Sequence, residues 1–362
     1  MKKFLDCISI VGATPSKFHG TKKYVSTGAV ATTEIDESEV VEVTYEDRPS
    51  RANLSAEAGD ILFAKMQGTR KTLLLDSETE ENIYSTGFYA VRANPEVITT
   101  ECLYYLIDSE LFLAQKDKNC SGATQKAITN GGMAKIEISV PALSEQGILV
   151  DKLKHLTQLI ADKKKQLNLF DEIIKSRFIE MFGDPKRNPR KWDMVTVGDI
   201  ATDVRYGTSR PATEGGKYPY LRMNNLTYEG YLDLTDLKHI DIPDNEVEKC
   251  VVRNGDVLFN RTNSVELVGK TCVYNLDSDM IIAGYIIRVR IDDRVLPVIL
   301  SSYLNSTVMK EQLRSMAKGA VNQANINAQE LRSIPIYLPP ITLQHEFATF
   351  VEQVDKSKFE IQ

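Results

Sequence analysis

Two copies of one short motif decide how this chain is organised. The hexapeptide Ala-Gly-Asp-Ile-Leu-Phe at residues 58–63 returns as Asn-Gly-Asp-Val-Leu-Phe at residues 254–259, 196 residues later. In each copy a Gly-Asp turn precedes a run of apolar residues, which is the pattern of a buried strand that follows a turn. The motif therefore predicts the same strand at the same place in two domains.

Three further blocks repeat in the same order and at nearly the same offset. Residues 87–92 return at 284–289, residues 121–123 at 318–320, and residues 136–141 at 334–339. A repeat of this length has the size of a domain and is far longer than the unit of a solenoid. The chain is therefore predicted to contain two similar domains.

The composition is typical of a folded, soluble protein. Of the 362 residues, 42% are hydrophobic and 26% are charged, which is enough for two domains and connecting helices. The start of the chain lacks the pattern of a signal peptide, and no apolar run is long enough to span a membrane. The five cysteines have no Cys-x-x-Cys spacing, and the four histidines are scattered. We therefore expect a cytoplasmic protein with reduced thiols, no membrane partner, no metal and no cofactor.

The charge is unfavourable for binding nucleic acid through phosphate contacts alone. The net charge is −6; residues 1–140 carry 15 basic and 20 acidic side chains, and residues 184–339 carry 20 of each. Proteins that bind DNA mainly through phosphates are usually basic. Binding of DNA by this chain would therefore require local basic patches, or a partner that supplies positive charge.

A long helix is predicted between the two copies, over residues 144–182. Ten positions at alternating steps of four and three follow a 3.5-residue repeat, and eight of them are apolar. These positions are Leu149, Leu153, Leu156, Ile160, Lys163, Leu167, Phe170, Ile174, Arg177 and Met181. Pro185 ends this helix, and a shorter helix of the same kind is predicted after Pro340, with Lys358 interrupting its apolar pattern.

Each copy is predicted to be a mixed α/β domain. Strands are expected at 61–63 and 88–91 in the first copy and at 257–259 and 286–290 in the second, with helices at 102–107 and 299–304. The segments around Gly122 and Gly319 are expected to be polar loops, each followed by a last strand.

Familiar catalytic motifs are missing from the sequence. It contains neither a dinucleotide-binding Gly-x-Gly-x-x-Gly nor a phosphate-binding Gly-x-x-x-x-Gly-Lys-Ser/Thr loop. The Gly-x-Ser-x-Gly elbow, His-Glu-x-x-His and the Asn/Asp-Pro-Pro-Tyr signature of amino-methylating enzymes are missing as well. A methyltransferase or nuclease with an unfamiliar site is left as an alternative.

Both copies carry polar loops with side chains that can read base edges. Arg pairs with guanine, and Asn or Gln with adenine, in the major groove. The candidate residues of the first copy are Lys65, Gln67, Thr69, Arg70, Lys71, Gln125 and Lys126. Those of the second copy are Arg222, Asn224, Asn225, Asn260, Arg261, Thr262, Asn263, Asn322, Gln323 and Asn325. The alternative, that these are solvated loop residues with capping roles, stays open.

Several motifs together resemble those of one family. Gly-Asp-Ile-Leu-Phe stands at 59–63, Gly-Asp-Val-Leu-Phe at 255–259 and Ser-Gly-Ala-Thr-Gln at 121–125. Val-Pro-Ala-Leu-Ser-Glu-Gln at 140–146 precedes the long helix, and Met-Phe-Gly-Asp-Pro at 181–185 ends it. In this order, duplicated around a long helix, they make the chain resemble the specificity subunit of type I restriction-modification systems.

The resemblance implies a fold and a division of labour. It implies target recognition domains at 1–142 and 184–340, and helical regions at 143–183 and 341–362 that pack as an antiparallel coiled coil. In such a subunit each domain reads one half of a bipartite DNA target, while the helices set the spacing. Catalysis belongs to the modification subunits, so no catalytic residue is expected in this chain. The shortness of the last helix departs from the family pattern: either this helix is naturally short or the chain is truncated, and the coiled coil is expected to be either not closed or only partial.

The implied partners are double-stranded DNA, two modification (methyltransferase) subunits and restriction subunits. Ile173 and Phe178 widen the apolar stripe of the long helix beyond what a two-helix seam needs, so they are candidate partner-binding residues. A rival from another class is a coiled-coil scaffold or inhibitor protein that binds modification subunits without reading DNA.

Overall fold

The structure, a computed structural model, describes residues 1–320 and 323–361 of the chain. The chain divides into two compact units, Met1–Ala161 and Asp162–Gln362, and the division falls inside the long central helix. Within the described residues, we find no helix that combines the length and apolar character needed to cross a membrane.

The first unit contains ten strands and three helices before the long helix. The strands are β1 (Lys2–Lys3), β2 (Ile8–Val11), β3 (Lys22–Val25), β4 (Val41–Val43), β5 (Ala52–Leu54), β6 (Ile61–Ala64), β7 (Thr72–Leu74), β8 (Ile83–Ser85), β9 (Phe88–Ala93) and β10 (Glu137–Ile138). The helices are α1 (Thr100–Ile107), α2 (Glu110–Lys118) and α3 (Asn130–Met133), and the long helix is α4 (Leu143–Phe182).

The second unit repeats this succession of elements. Its strands are β11 (Asp193–Thr196), β12 (Ala201–Tyr206), β13 (Tyr218–Leu221), β14 (Lys238–Ile240), β15 (Val251–Val252), β16 (Val257–Asn260), β17 (Thr262–Asn263), β18 (Thr271–Val273), β19 (Met280–Ile282), β20 (Ile286–Ile291), β21 (Lys318–Ala320), β22 (Gln323–Asn325) and β23 (Pro335–Leu338). Its helices are α5 (Val197–Ile200), α6 (Asp244–Cys250), α7 (Pro297–Asn305), α8 (Thr307–Met316), α9 (Ala328–Arg332) and α10 (Ile341–Ile361).

Both units have the same strand order. The first has the sheets β2-β9-β6-β7 and β4-β3-β8-β5, and the second has β12-β20-β16-β18 and β14-β13-β19-β15. In each second sheet the central pair is parallel, β3 with β8 and β13 with β19, and the other pairs are antiparallel. The prediction of two similar mixed α/β domains is therefore confirmed.

The repeated Gly-Asp motif has a structural role in both units. Gly59 and Gly255 have φ angles of 87° and 89°, a left-handed conformation that favours glycine. Asp60 is buried; it accepts the Glu57 N–H and pairs with Arg92, whose Nε lies 2.6 Å from Oδ1.

In the second unit, Asp256 accepts the Arg253 N–H and pairs with Arg290 at 2.8 Å. In both units the aspartate closes the turn before the buried strand and ties it to the arginine of a neighbouring strand. The motif that reveals the repeat thus stabilises the frame of each unit.

The second half of α4 packs antiparallel to α10. The Phe178 and Phe347 rings are 5.4 Å apart, and the Arg177 guanidinium lies 5.7 Å from the centre of the Phe350 ring. Further along, Lys358 pairs with Asp171, so residue numbers rise along one helix as they fall along the other. The predicted antiparallel coiled coil is present over this stretch.

The secondary structure differs from the prediction by one or two residues at several element bounds, and in the type of one segment. The long helix begins at Leu143, one residue earlier than predicted. The segment around Gly319 forms strand β21, which pairs with β22, whereas a loop was predicted. Strand β22 pairs with both β21 and β17, so it connects the segment around Gly319 to a second strand. The polar composition of the segment does not reveal this pairing.

Candidate DNA interface

In the first unit the two predicted polar loops lie side by side. Met66 and Ala127 form a bridge, the Gln67 N–H donates to the Lys126 carbonyl at 3.0 Å, and the Ile128 N–H donates to the Lys65 carbonyl at 2.9 Å. The loop after the Gly-Asp strand is thereby joined to a loop about 60 residues later. Both form one polar edge of the unit.

The second unit builds the same edge. Strand β17 pairs with β22 through Thr262 and Asn325, and the Thr262 Oγ1 donates to the Asn325 Oδ1 at 2.9 Å. The Ile326 N–H donates to the Arg261 carbonyl at 2.9 Å, as that of Ile128 does to Lys65 in the first unit. We call these two equivalent surfaces the recognition edges; they consist of residues 65–71 with 121–128 and of residues 261–264 with 323–326.

The side chains of the first recognition edge differ in their exposure and in the ion pairs that they make. Gln125 and Lys126 are exposed. Arg70 is held by Asp108, with Nη2 and Oδ2 2.8 Å apart, and by Glu110, and these hydrogen bonds raise its pKa. Contact of Arg70 with a base would require both ion pairs to open, which makes it a poor base-reading residue.

The other candidates of this edge make backbone hydrogen bonds. The Lys71 Nζ donates to the Thr27 carbonyl at 2.6 Å, and Gln67 donates weakly to the Asp117 carbonyl at 3.3 Å. The carbonyl of Thr69 accepts the ammonium of Lys116, a buried lysine whose pKa is lowered by its burial. Sequence reasoning missed Lys116, because it stands in the polar run Gln-Lys-Asp-Lys at 115–118, which looks like an ordinary solvated helix end.

Two asparagines of the second unit lie in the interior. Asn260 is fully buried; its Nδ2 donates to the Tyr285 carbonyl at 3.1 Å and its Oδ1 accepts from Asn263 at 2.8 Å. Asn225 is 2% exposed; it accepts the Arg222 N–H and donates to the Asp233 carbonyl. Both were predicted to contact DNA, and this prediction is wrong because their amides are used to hold neighbouring loops.

The remaining candidates of the second unit are nearer the surface. Asn224 is exposed, whereas Arg222 pairs with Asp236 at 2.6 Å and directly follows strand β13, which belongs to a different sheet from the polar strands β17 and β22. Asn322 lies outside the described residues. Gln323 contributes its backbone to β22.

A basic residue opens each recognition edge and lies on a tyrosine ring. The Arg261 guanidinium is 4.8 Å from the centre of the Tyr206 ring, and the Lys65 Nζ is 4.4 Å from that of Tyr89. Burial lowers the pKa of Lys65, which also donates to the Thr86 carbonyl at 2.9 Å. Neither tyrosine was predicted, although an aromatic residue in a strand next to the loop is the signal that could have indicated them.

The two candidate partner-binding residues have different environments. Ile173 is 46% exposed, but Phe178 is 1% exposed and packs against Phe182 and Phe347 in the core of the second unit. The prediction for Phe178 is therefore wrong, since its ring is already covered by the chain itself. Further along α4, Leu156, Leu159 and Ile160 are each more than half exposed.

Comparison with known proteins agrees with this architecture. The sequence profile of the family described as "Type I restriction modification DNA specificity domain" matches residues 10–169 and 189–362. The EcoKI specificity subunit of Escherichia coli K12 is 23% identical over 82% of this chain and 67% of its own length. The putative MjaX specificity subunit of Methanocaldococcus jannaschii is 28% identical over 46% of this chain, which spans 40% of that relative.

A solved structure has the same fold. It comes from work on complex assembly and conformational transition of the type I R-M system, and it is 22% identical to this chain. The match covers 98% of this chain and 92% of the other, with a TM-score of 0.52. Because the family profile extends over both repeats, and the fold agrees, this chain belongs to the family of type I restriction-modification DNA specificity domains.

Proposed function

We propose that this chain is a non-catalytic recognition subunit that reads the two halves of a bipartite DNA target. The observation that carries the proposal is the duplicated recognition edge. Two loops far apart in sequence are joined by backbone hydrogen bonds in one unit, and the equivalent loops are joined in the same way in the other. Two equivalent polar edges suit two half-sites.

The charge distribution favours a chain that contacts bases while partner subunits supply the contacts to phosphates. Arg70 of the first edge is neutralised by Asp108 and Glu110, and outside the edges Arg222 is neutralised by Asp236. Such an edge offers few free charges for phosphates, which normally supply most of the affinity. Modification subunits that enclose the DNA would provide these phosphate contacts.

The long helix supports a role in assembly. Leu156, Leu159 and Ile160 form an exposed apolar stripe on α4, and such stripes mark binding surfaces. We propose that modification subunits cover this stripe, and that restriction subunits join the complex through them. The same stripe fits the rival function of a scaffold or inhibitor that never reads DNA.

Mapping of methylated bases in cells that express this chain with its modification subunits tests the proposal. A methylated bipartite motif with a fixed gap is expected, and exchange of the second unit for that of a relative should change only one half of it. A complex that assembles fully, yet leaves no sequence-specific methylation, would favour the scaffold and contradict the proposal.

A further inference from the structure

The basic residue of each recognition edge is held in place by the sheet that carries it. Arg261 directly follows β16, and its N–H donates to the Tyr285 carbonyl at 2.9 Å. Strands β12 and β16 both pair antiparallel with β20, so they end at the same margin of the sheet. The guanidinium thus crosses the start of β20 and lies on the ring of Tyr206, the last residue of β12.

The ring is fixed by its own hydroxyl group. The Ala328 N–H donates to the Tyr206 hydroxyl at 2.8 Å, and Ala328 is the first residue of α9. In the first unit the Tyr89 hydroxyl donates to the Asn130 side chain at 2.7 Å, and Asn130 is the first residue of α3. Both rings are therefore anchored at the equivalent helix start, 198 residues apart.

The two rings nevertheless come from different strands. Tyr206 belongs to β12, whereas Tyr89 belongs to β9, the counterpart of β20. Strand β2, the counterpart of β12, ends with Val11 and offers no ring. Duplication of one ancestral tyrosine does not account for this arrangement. The common feature is a cation supported by an anchored ring at the first position of the edge.

Arg261 is also the least committed of the candidate arginines. Over the described part of the chain, its guanidinium has no carboxylate partner, and its Nε is buried without a hydrogen bond. Arg70 and Arg222 are both ion-paired. An arginine whose guanidinium rests on a ring, and whose terminal nitrogens have no hydrogen-bond partner among the described residues, is suited to a bidentate contact with guanine O6 and N7.

We propose that Tyr206 is a positioning residue that holds Arg261 to read one guanine in the half-site of the second unit. Tyr89 holds Lys65 in the same way in the first unit, where the Lys65 ammonium keeps two donors beyond its bond to Thr86. This inference rests on the proposed function. It adds the recognised base, a guanine, and the two residues that select this base, Arg261 and Tyr206.

The test measures methylation rates of the full complex with its modification subunits. A panel of duplexes carries every single-base substitution in the half-site of the second unit. The wild-type complex should prefer G·C at one position, and Arg261→Ala should lose that preference by about 5- to 100-fold. Tyr206→Leu should lose about 3- to 10-fold at the same base pair only, because the ring no longer supports the guanidinium.

Matched variants separate positioning from general stability. Tyr206→Phe keeps the ring and should retain most of the preference, and Phe359→Leu removes an exposed aromatic ring of α10, outside the recognition edge, and should leave the base preference unchanged. Melting temperatures of all variants are compared with that of the wild type. If Tyr206→Leu does not fold, Tyr206→Gln takes its place at this exposed position.

Each outcome has a distinct meaning. The positioning role is overturned if the wild-type complex is selective but Tyr206→Leu leaves the base preference unchanged. It is also overturned if Tyr206→Leu lowers the methylation rate equally on every duplex. A preference for A·T at the position lost with Arg261→Ala overturns the assignment of guanine. A wild-type complex that methylates all duplexes equally contradicts the proposed function itself.

Discussion

Gln146 and Gln344, 198 residues apart, make the same three hydrogen bonds in their respective units. The Gln146 Oε1 accepts the Thr99 N–H at 2.7 Å, and its Nε2 donates to the carbonyls of Val97 and Pro141 at 3.0 Å. Gln344 binds the Leu296 N–H and the carbonyls of Arg294 and Pro339 in the same pattern. Both side chains are fully buried, so each fastens the first turn of its helix to its domain.

The first prediction concerns these two glutamines. Gln146→Ala and Gln344→Ala each remove three hydrogen bonds between a buried side chain and backbone groups, and we expect a loss of about 2–4 kcal/mol in the free energy of unfolding. Urea unfolding followed by circular dichroism measures it. Gln353→Ala, at an exposed position of α10, is the control and should stay within about 0.5 kcal/mol of the wild type. Equal effects at all three positions would contradict the role assigned to the buried pair.

The second prediction compares two glycines. A Cβ at Gly59 or at Gly147 meets no atom within 4 Å, so space does not decide the effect of alanine. Gly59 has a φ of 87°, and Gly59→Ala should destabilise the protein by roughly 1 kcal/mol. Gly147 lies inside α4, where Gly147→Ala should stabilise the helix by up to about 1 kcal/mol. Thermal unfolding of both variants gives the signs, and the same sign for both would refute the argument.

The third prediction separates assembly from folding on α4. Ile173→Asp places a charge at a half-exposed position and should weaken co-purification with modification subunits while the melting temperature changes little. Phe178→Asp buries a charge among aromatic rings and should destabilise the second unit by more than about 3 kcal/mol. Full binding by a well-folded Ile173→Asp variant would remove Ile173 from the partner surface.

The fourth prediction concerns a buried lysine of α8. Burial lowers the pKa of Lys310 to about 7, with Lys175, Lys270 and Arg314 acting in the same direction and Glu229 opposing them. Between about pH 7 and the ordinary value of 10.5, the unfolded chain binds a proton that the folded chain does not. Stability should therefore rise with pH across this window.

Lys310→Met should reduce this dependence, because methionine fills a similar volume without a charge. Lys65, Lys116 and Lys270, whose pKa values burial also lowers, keep their part of it. The variant should be more stable than the wild type near pH 7, and the difference should shrink towards pH 10. The free energy of unfolding at several pH values measures the slope, with Lys356→Met at an exposed position of α10 as the control. A slope that is the same in Lys310→Met as in the wild type would assign the whole dependence to other groups.

Much of the fold could be predicted because it is encoded locally. The strands after Gly59 and Gly255 follow from short apolar runs behind a turn, and the long helix follows from its heptad pattern. The strand at Gly319 was missed, since its partner β22 is polar and supplies hydrogen bonds but no apolar signal. Pairing of this kind depends on tertiary contacts rather than on the residues of the strand itself.

The site was less predictable than the fold. The repeat indicated that both copies carry polar segments at equivalent places, but not that the two segments of one unit pair with each other. The state of each side chain depends on residues that are distant in sequence. Arg70 meets Asp108, and Arg261 meets Tyr206 across an intervening strand. Residue type alone does not show whether an arginine or an asparagine is free, ion-paired or buried.

The Asp–Arg pairs that follow Gly59 and Gly255 have a consequence for how such a protein can change. They hold the frame of each unit through backbone and buried groups, while exposed edge residues such as Gln125 and Lys126 contribute little to that frame. Substitutions at the edge therefore cost little stability. The target preference can change by single substitutions, without passing through a protein that fails to fold. The two units can also diverge independently, as Tyr89 and Tyr206 already show by supporting their cations from different strands.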